Sequence, residues 1–219
     1  MSHLLRIELP DVPGSLGAVA TALGLAGANI EAIEIVEHRP DGTAVDDVYL
    51  DFEPSVMPDM LVSAVQKLDG VRVLWVSRYS ARGNLHLDLE AIEVMTNDPG
   101  RAAHHLAHLL PRTFRSDWAC VAMLDGEEMT CLERTSNAPD LPAEAITWFA
   151  LVSAQSIEVQ DSWEGWSNTE VAAAPMSGVG RIVLLGRHGG PEILESELAR
   201  LQHLTTVTTS IELAFESDS

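Results

Sequence analysis

Basic residues are scarce in this 219-residue chain. Thirteen Lys and Arg face 33 Asp and Glu, for a formal net charge of −20. Such a field repels nucleic-acid phosphate and anionic lipid, which disfavours a DNA, RNA or membrane-surface role. The imbalance is general: residues 1–80 hold 5 basic and 12 acidic side chains, and residues 81–219 hold 8 and 21, so neither half is a basic arm. Cysteine is also scarce, and two, Cys120 and Cys131, are too few for a disulfide scaffold. The start Met1-Ser2-His3 lacks the charged-then-apolar pattern of a secretory signal, so a cytoplasmic protein is expected. The longest apolar stretch, Ala145 to Ala154, is interrupted by Thr147 and Ser153. It falls short of the roughly 20 residues that cross a bilayer.

The familiar reaction motifs are missing as well. No Gly-x-Ser-x-Gly elbow and no His-Glu-x-x-His occurs, and the glycine-rich segments around Gly178-Val179-Gly180 and Gly186 to Gly190 lack the spacing and lysine of a phosphate loop. These read as turns, and no catalytic residue is assigned. What is present is a 46% hydrophobic composition, enough for one large domain or two small ones.

The first eighty residues carry a regular pattern. Leu5, Ile7 and Leu9 alternate with Arg6 and Glu8 as a half-buried strand does, and Pro10 to Gly14 breaks the run. Leu16, Val19, Ala20 and Leu23 follow at helical spacing up to Gly27. Ile30 to Val36 and Val48 to Phe52 read as a hairpin around Arg39-Pro40-Asp41-Gly42, Met57 to Leu68 as a second helix, and Val71 to Val76 as a last strand. The order strand, helix, strand, strand, helix, strand predicts a ferredoxin-like α+β unit, an antiparallel sheet with both helices on one face. The apolar residues on its other face predict sheet-to-sheet or edge-to-edge dimerisation.

Asp11-Val12-Pro13-Gly14-Ser15-Leu16, followed by Ala26-Gly27-Ala28-Asn29-Ile30, resembles the ACT domain signature. The resemblance covers about Leu4 to Tyr79. It implies a regulatory module that binds an amino acid between paired copies, with Asp11, Val12, Pro13, Gly14, Ser15 and Leu16 on one side of the pocket and Ala28, Asn29 and Ile30 on the other. Amides at Gly14, Ser15 and Leu16 suit a ligand carboxylate, and Asp11 and Asn29 suit an ammonium or amide. Val12 departs from the pattern, because relatives commonly carry a polar residue there.

In the second half, residues 80–92 read as a connector and Asp98-Pro99 as a helix start. Trp118 to Leu124 and Met129 to Arg134 read as a hairpin, Pro142 to Val152 as a helix, Ile157 to Val159 as a short strand, Val171 to Met176 and Arg181 to Gly186 as strands, and Leu194 to Ile211 as a closing helix. Ala172-Ala173-Ala174-Pro175-Met176, Gly178-Val179-Gly180 and Ile182 to Gly186, with Asp161 and the Leu198 to Leu213 helix, resemble a GAF domain over about Asp98 to Phe215. That resemblance implies a small-molecule or dimerising sensor module. The expected division is therefore residues 1–80 as an ACT-like ligand-binding domain and 81–219 as connector and GAF-like domain. No cofactor is expected.

Three side-chain sets remain. His104 and His108 are four apart, on one helical face, but no carboxylate or cysteine nearby in sequence completes a metal set, so no metal is expected and a solvated surface is the reading. A two-residue loop at Asp125-Gly126 would pair Cys120 with Cys131, either as two small buried thiols or as a regulatory disulfide. Trp163 and Trp166 either cover a pocket or, the favoured reading, fill a core rim. The function expected is a non-catalytic, homodimeric regulatory protein that senses an amino acid or similar metabolite. The rivals are a dimeric scaffold with degenerate ligand sites and, third, a transferase built on the second half.

Overall fold

The computed structural model describes residues 2–78, 84–160, 162–176 and 180–217. The chain forms two compact units, Met1–Ala81 and Arg82–Ser219. Both are α+β with antiparallel sheets, as the sequence predicts.

In the first unit β1 (Ser2–Pro10), α1 (Ser15–Leu25), β2 (Ala28–His38), β3 (Thr43–Phe52), α2 (Pro58–Val65) and β4 (Arg72–Arg78) follow the predicted order. The sheet order is β2-β3-β1-β4, so β2 and β4 are its edges. Leu5, Ile7 and Leu9 of β1 and Val48 and Leu50 of β3 pack with Val19 and Leu23 of α1 and Leu61 and Val65 of α2. Strand alternation supplies one half of this core and helical spacing the other. The opposite face carries the buried pair Arg6 and Asp47, whose guanidinium Nε and carboxylate Oδ1 lie 2.7 Å apart, with Leu4, Val45 and Tyr49 buried around it. These are cross-strand neighbours by register: Arg6 lies opposite Asp47, and Leu4 opposite Tyr49.

The second unit contains α3 (Asn84–Asn97), a 3-10 turn at Pro99–Arg101, α4 (Ala102–Phe114), β5 (Trp118–Asp125), β6 (Glu128–Arg134), a 3-10 segment at Ala143–Ala150, β7 (Gln155–Ile157), β8 (Thr169–Met176), β9 (Arg181–His188) and α5 (Glu195–Ser217). Its sheet order is β6-β5-β9-β8-β7. The predicted connector at 80–92 is not a linker from residue 84 onward: α3 packs on α4 and α5. Its helical spacing, with Leu87, Ala91 and Met95 buried, is masked in sequence by the alternation of Leu85, Leu87 and Leu89 with His86, Asp88 and Glu90. Residues 79–83 lie outside the described residues, as do Asp161 and the first two positions of Gly178-Val179-Gly180.

Each face of this sheet is covered. Ala119, Val121, Ala172, Val183 and Leu185 meet Leu106 and Leu110 of α4 and Leu201 and Leu204 of α5. Trp118, Cys120, Ala122, Ala173 and Leu184 point the other way and meet Ala145, Trp148 and Trp166. Four threonines, poor helix formers, run through α5. Their hydroxyls donate to carbonyls three or four residues back, Thr208 to Leu204 at 2.7 Å and Thr209 to Thr205 at 3.0 Å, which satisfies them inside the packed layer. At the start of α5, Glu197 accepts from the Leu194 amide at 3.1 Å and pairs with the buried Arg187 at 2.7 Å. The helix terminus is thereby tied to β9.

Gly186 of β9 lies flat beneath Trp118, and a Cβ there would sit 2.1 Å from the indole. Gly186→Ala is therefore expected to destabilise the protein by about 3 kcal/mol through overpacking. Urea unfolding monitored by tryptophan fluorescence measures it, and a cost under about 1 kcal/mol would contradict this packing.

Candidate functional site

The loop that joins β1 to α1 is built for exposure. Gly14 has φ +99°, in the left-handed region, and turns the chain into α1 with nothing within 4 Å of a Cβ placed on it. The Val12 amide donates to the Pro10 carbonyl at 2.9 Å and the Ser15 amide to the Val12 carbonyl at 3.2 Å. Of the three amides expected to face a ligand, Ser15 is thus consumed within the turn. Those of Gly14 and Leu16 have no backbone acceptor among the described residues. They lie at the positive end of α1.

Asp11 is anchored at the same corner. Its amide donates to Gly42 at 2.9 Å, and its carboxylate Oδ2 lies 2.8 Å from His38 Nδ1 at the end of β2. A further carboxylate lies inward of this pair. Asp46 of β3 stands opposite Ile7 on one side and Ile35 on the other, on the face that α1 and α2 cover. Asp46 is 2% exposed, and its Oδ1 has no hydrogen-bond partner among the described residues. Burial raises its pKa above the ordinary carboxylate value, while His38 pulls it down and Asp11 pushes it up. Its neighbour Ile35 is 52% exposed, so Asp46 stands at the margin of the helical cover. Sequence reading passed over Asp46, because it occupies a core position in a strand where alternation calls for an apolar side chain. That mismatch was the available signal.

Ala28, Asn29 and Ile30 lie elsewhere. Ala28 is opposite Phe52, whereas His38 is opposite Ala44, so the start of β2 and the Asp11 corner are at opposite ends of the sheet. Asn29 is nine residues from His38 along β2, roughly 30 Å at the rise of a strand. Within one chain the two halves of the expected pocket do not meet.

In the second unit the predicted register of the β5–β6 hairpin is off. Asp125 pairs with Glu128, so the loop is Gly126-Glu127 and Cys120 stands opposite Arg134, not Cys131. A bulge at Leu132 nevertheless leaves Cys131 opposite Ala122, on the same face as Cys120 and diagonal to it, and the Cys131 thiol donates to the Glu133 carbonyl at 3.5 Å. The Cys120 S–H stabilises a Cys131 thiolate and, with Arg134 nearby, holds the Cys131 pKa down to about 7 against its burial. The interaction with Cys131, together with burial, pushes Cys120 well up. Trp118, Trp148, Trp163 and Trp166 interlock on this face with ring centroids 5.2 to 5.9 Å apart, and Trp166 Nε1 donates to the Asp140 carbonyl at 2.9 Å. Trp163 and Trp166 therefore fill core. A cleft of about 460 Å³ lies between the 3-10 turn, β9 and the end of α5, lined by Gly100, Met123, Leu132, Arg181 and Glu212 among others, and no cysteine or histidine lines it.

On the other sheet face, His104 and His108 of α4 have ring centroids 4.5 Å apart, and His104 Nδ1 lies 2.8 Å from Glu133 Oε2 of β6. Sequence spacing could not supply that carboxylate, which arrives across the fold.

Comparison with known proteins agrees with the geometry of the first unit. Residues 3–72 match the family model of the ACT domain, so this unit carries an ACT domain. NAD-dependent malic enzyme 1 of Bacillus subtilis is 40% identical over 78 residues, which make up 35% of this chain and 18% of that protein. The match thus spans less than a fifth of that relative. Among solved structures, the GAF domain of an Acinetobacter phosphoenolpyruvate-protein phosphotransferase is similar with a TM-score of 0.47 and 8% identity, over 64% of this chain and 98% of that one. The free methionine-R-sulfoxide reductase of Neisseria meningitidis, solved with its substrate, is similar with a TM-score of 0.46 and 15% identity, over 65% of this chain and 98% of that one. No helix among the described residues is long and apolar enough to cross a membrane.

Iodoacetamide labelling followed by peptide mass mapping tests the thiol pair. Cys131 is expected to alkylate with an apparent titration near pH 7 while Cys120 stays unmodified in the folded chain. Equal labelling of both, or a titration at the ordinary thiol value, would contradict it.

Proposed function

We propose that this chain is a non-catalytic, cytoplasmic regulatory protein whose ACT domain binds an amino acid or a similar small metabolite in a pocket completed by a second copy. The observation that carries the reading is the buried Oδ1 of Asp46, which has no hydrogen-bond partner among the described residues and whose ionisation the Asp11 carboxylate opposes. A buried acceptor without a donor is costly, and an incoming ammonium satisfies it. The same ligand's carboxylate has the Gly14 and Leu16 amides and the positive end of α1 to receive it. Anion acceptor and cation acceptor at one corner suit a zwitterion. Pro13 fixes the approach to Gly14, while Val12 and Ser15 border the turn.

The second half of the pocket follows from symmetry. β2 is an edge strand with free ladder groups. Two copies pairing β2 antiparallel about a two-fold axis would bring Ala28, Asn29 and Ile30 of each to the His38 end of the other. Ligand would then bridge two chains, and its binding would favour the dimer. The second unit is read as a GAF-like module, a five-stranded antiparallel sheet with helices packed on one face.

Isothermal calorimetry of the tag-free full chain against each of the twenty amino acids tests this. At least one is expected to bind, with Asp46→Asn weakening it by about tenfold or more through loss of a charge-assisted hydrogen bond. Silence with all twenty, or unchanged affinity in Asp46→Asn, would overturn the reading.

A further inference from the structure

His104 and His108 occupy successive turns of α4 on one face of the helix, the spacing at which two imidazoles can share one ion. The helix beneath them is fixed, with Ala103, Leu106, Ala107 and Leu110 all buried in the core. The sheet brings a third donor. Without the bulge at Leu132, Glu133 would share a face with Cys131; with it, Glu133 turns to the α4 side and places its carboxylate against His104. One donor atom from each of His104, His108 and Glu133 lies within 4.8 Å of the other two.

We propose that His104, His108 and Glu133 form a binding site for a divalent zinc-class metal ion, bridging α4 and β6. Two imidazoles and one carboxylate suit a borderline ion, with the fourth tetrahedral position left to water. Tetrahedral ligands at about 2.0 to 2.1 Å from zinc stand roughly 3.3 Å from one another. The His104 and Glu133 donors, 2.8 Å apart, need only separate by a fraction of an ångström. His108 is exposed and free to swing inward by a side-chain rotation. His105 is directed elsewhere: its Nε2 pairs with Asp98 at 2.9 Å, and its ring stands nearly perpendicular to that of His104. This provides an internal control. The ion would clamp the β5–β6 hairpin to the helical layer and replace an intramolecular hydrogen bond with coordination.

Tag-free full-length protein, stripped with chelator, is titrated with Zn²⁺ by calorimetry and with Co²⁺ by visible absorption. One zinc per chain is expected at micromolar affinity or tighter, together with the intense absorption of four-coordinate cobalt. His108→Ala, a substitution at an exposed position, and Glu133→Gln are each expected to weaken zinc by about tenfold or more and to abolish the cobalt band, whereas His105→Ala leaves both unchanged. No zinc binding by the unmodified chain, or binding that survives His108→Ala and Glu133→Gln undiminished, would overturn the proposal.

Discussion

Side chains alternate across a strand, so a single unpaired residue transfers everything beyond it to the opposite face of the sheet. In β6 that residue is Leu132. On its turn side, Cys131 reaches into the tryptophan face and meets Cys120; beyond it, Glu133 reaches the helical face and meets His104. Two chemically distinct groups, a thiol pair with one acidified member and a histidine-carboxylate cluster, are therefore positioned by one irregularity in one hairpin. Arg134 shows the same effect, since it stands opposite Cys120 and pairs with Asp140 at 2.8 Å, which keeps a positive charge near the thiols. Had the hairpin kept a strict period of two, Glu133, which already opposes ionisation of Cys131 from the other face, would lie on the same face as the sulfurs.

Register also governs the ACT domain, through length. β2 spans eleven residues and β3 ten, and their antiparallel pairing sends the two ends of the family signature to opposite ends of the sheet. The residues of the signature are thus divided in space within a single chain, which is why the proposed pocket draws its second half from another copy. The loop half retains real chemistry by itself. Gly14 supplies the turn, α1 its field, and Asp11 is held by the Gly42 carbonyl and His38. Asp46 adds a charge whose ionised form burial penalises. The domain folds around this group although an apolar residue would suit the strand better, which is the usual mark of a position retained for something other than packing.

The order of elements in the first unit was legible because each carries its own periodicity, with Leu5, Ile7 and Leu9 at period two and Leu16, Val19 and Leu23 at helical spacing. Most of the second unit was legible for the same reason. α3 was not, because Leu85, Leu87 and Leu89 alternate with His86, Asp88 and Glu90 and so obscure the helical spacing of the buried Leu87, Ala91 and Met95, and the helix is held by docking on α4 and α5. The closing helix α5 was legible from its apolar spacing in spite of its threonine run. Intrinsic propensity argued against a helix, but back-bonded hydroxyls and burial against α3, where Thr208 also reaches Met95 Sδ at 3.1 Å, decide the matter. Register and bulges were the least legible features. A shift of the loop from Asp125-Gly126 to Gly126-Glu127 costs nothing in composition, yet it exchanges the partner of Cys120.

The two units differ in the kind of buried polar atom left without a hydrogen-bond partner among the described residues: Ser116 Oγ and Gln202 Oε1 in the second, Ser77 Oγ and the carboxylate Oδ1 of Asp46 in the first. In the second, interior charge is closed off: Arg187 donates to Glu197 and to the Phe114 carbonyl, and Glu197 in turn caps α5. One sheet face is closed by interlocked indoles, with Gly186 leaving just the thickness of the Trp118 ring. Such a core has little to gain from an added polar molecule. In the first unit, charged and backbone polar capacity is left over in Asp46 Oδ1 and in the amides of Gly14 and Leu16, which have no backbone acceptor among the described residues. Ligands shift equilibria by the difference in what they satisfy between states. Unspent hydrogen-bonding capacity at the margin of a core is where that difference is largest, which is the reason the proposed ligand site is placed at the β1–α1 loop and Asp46.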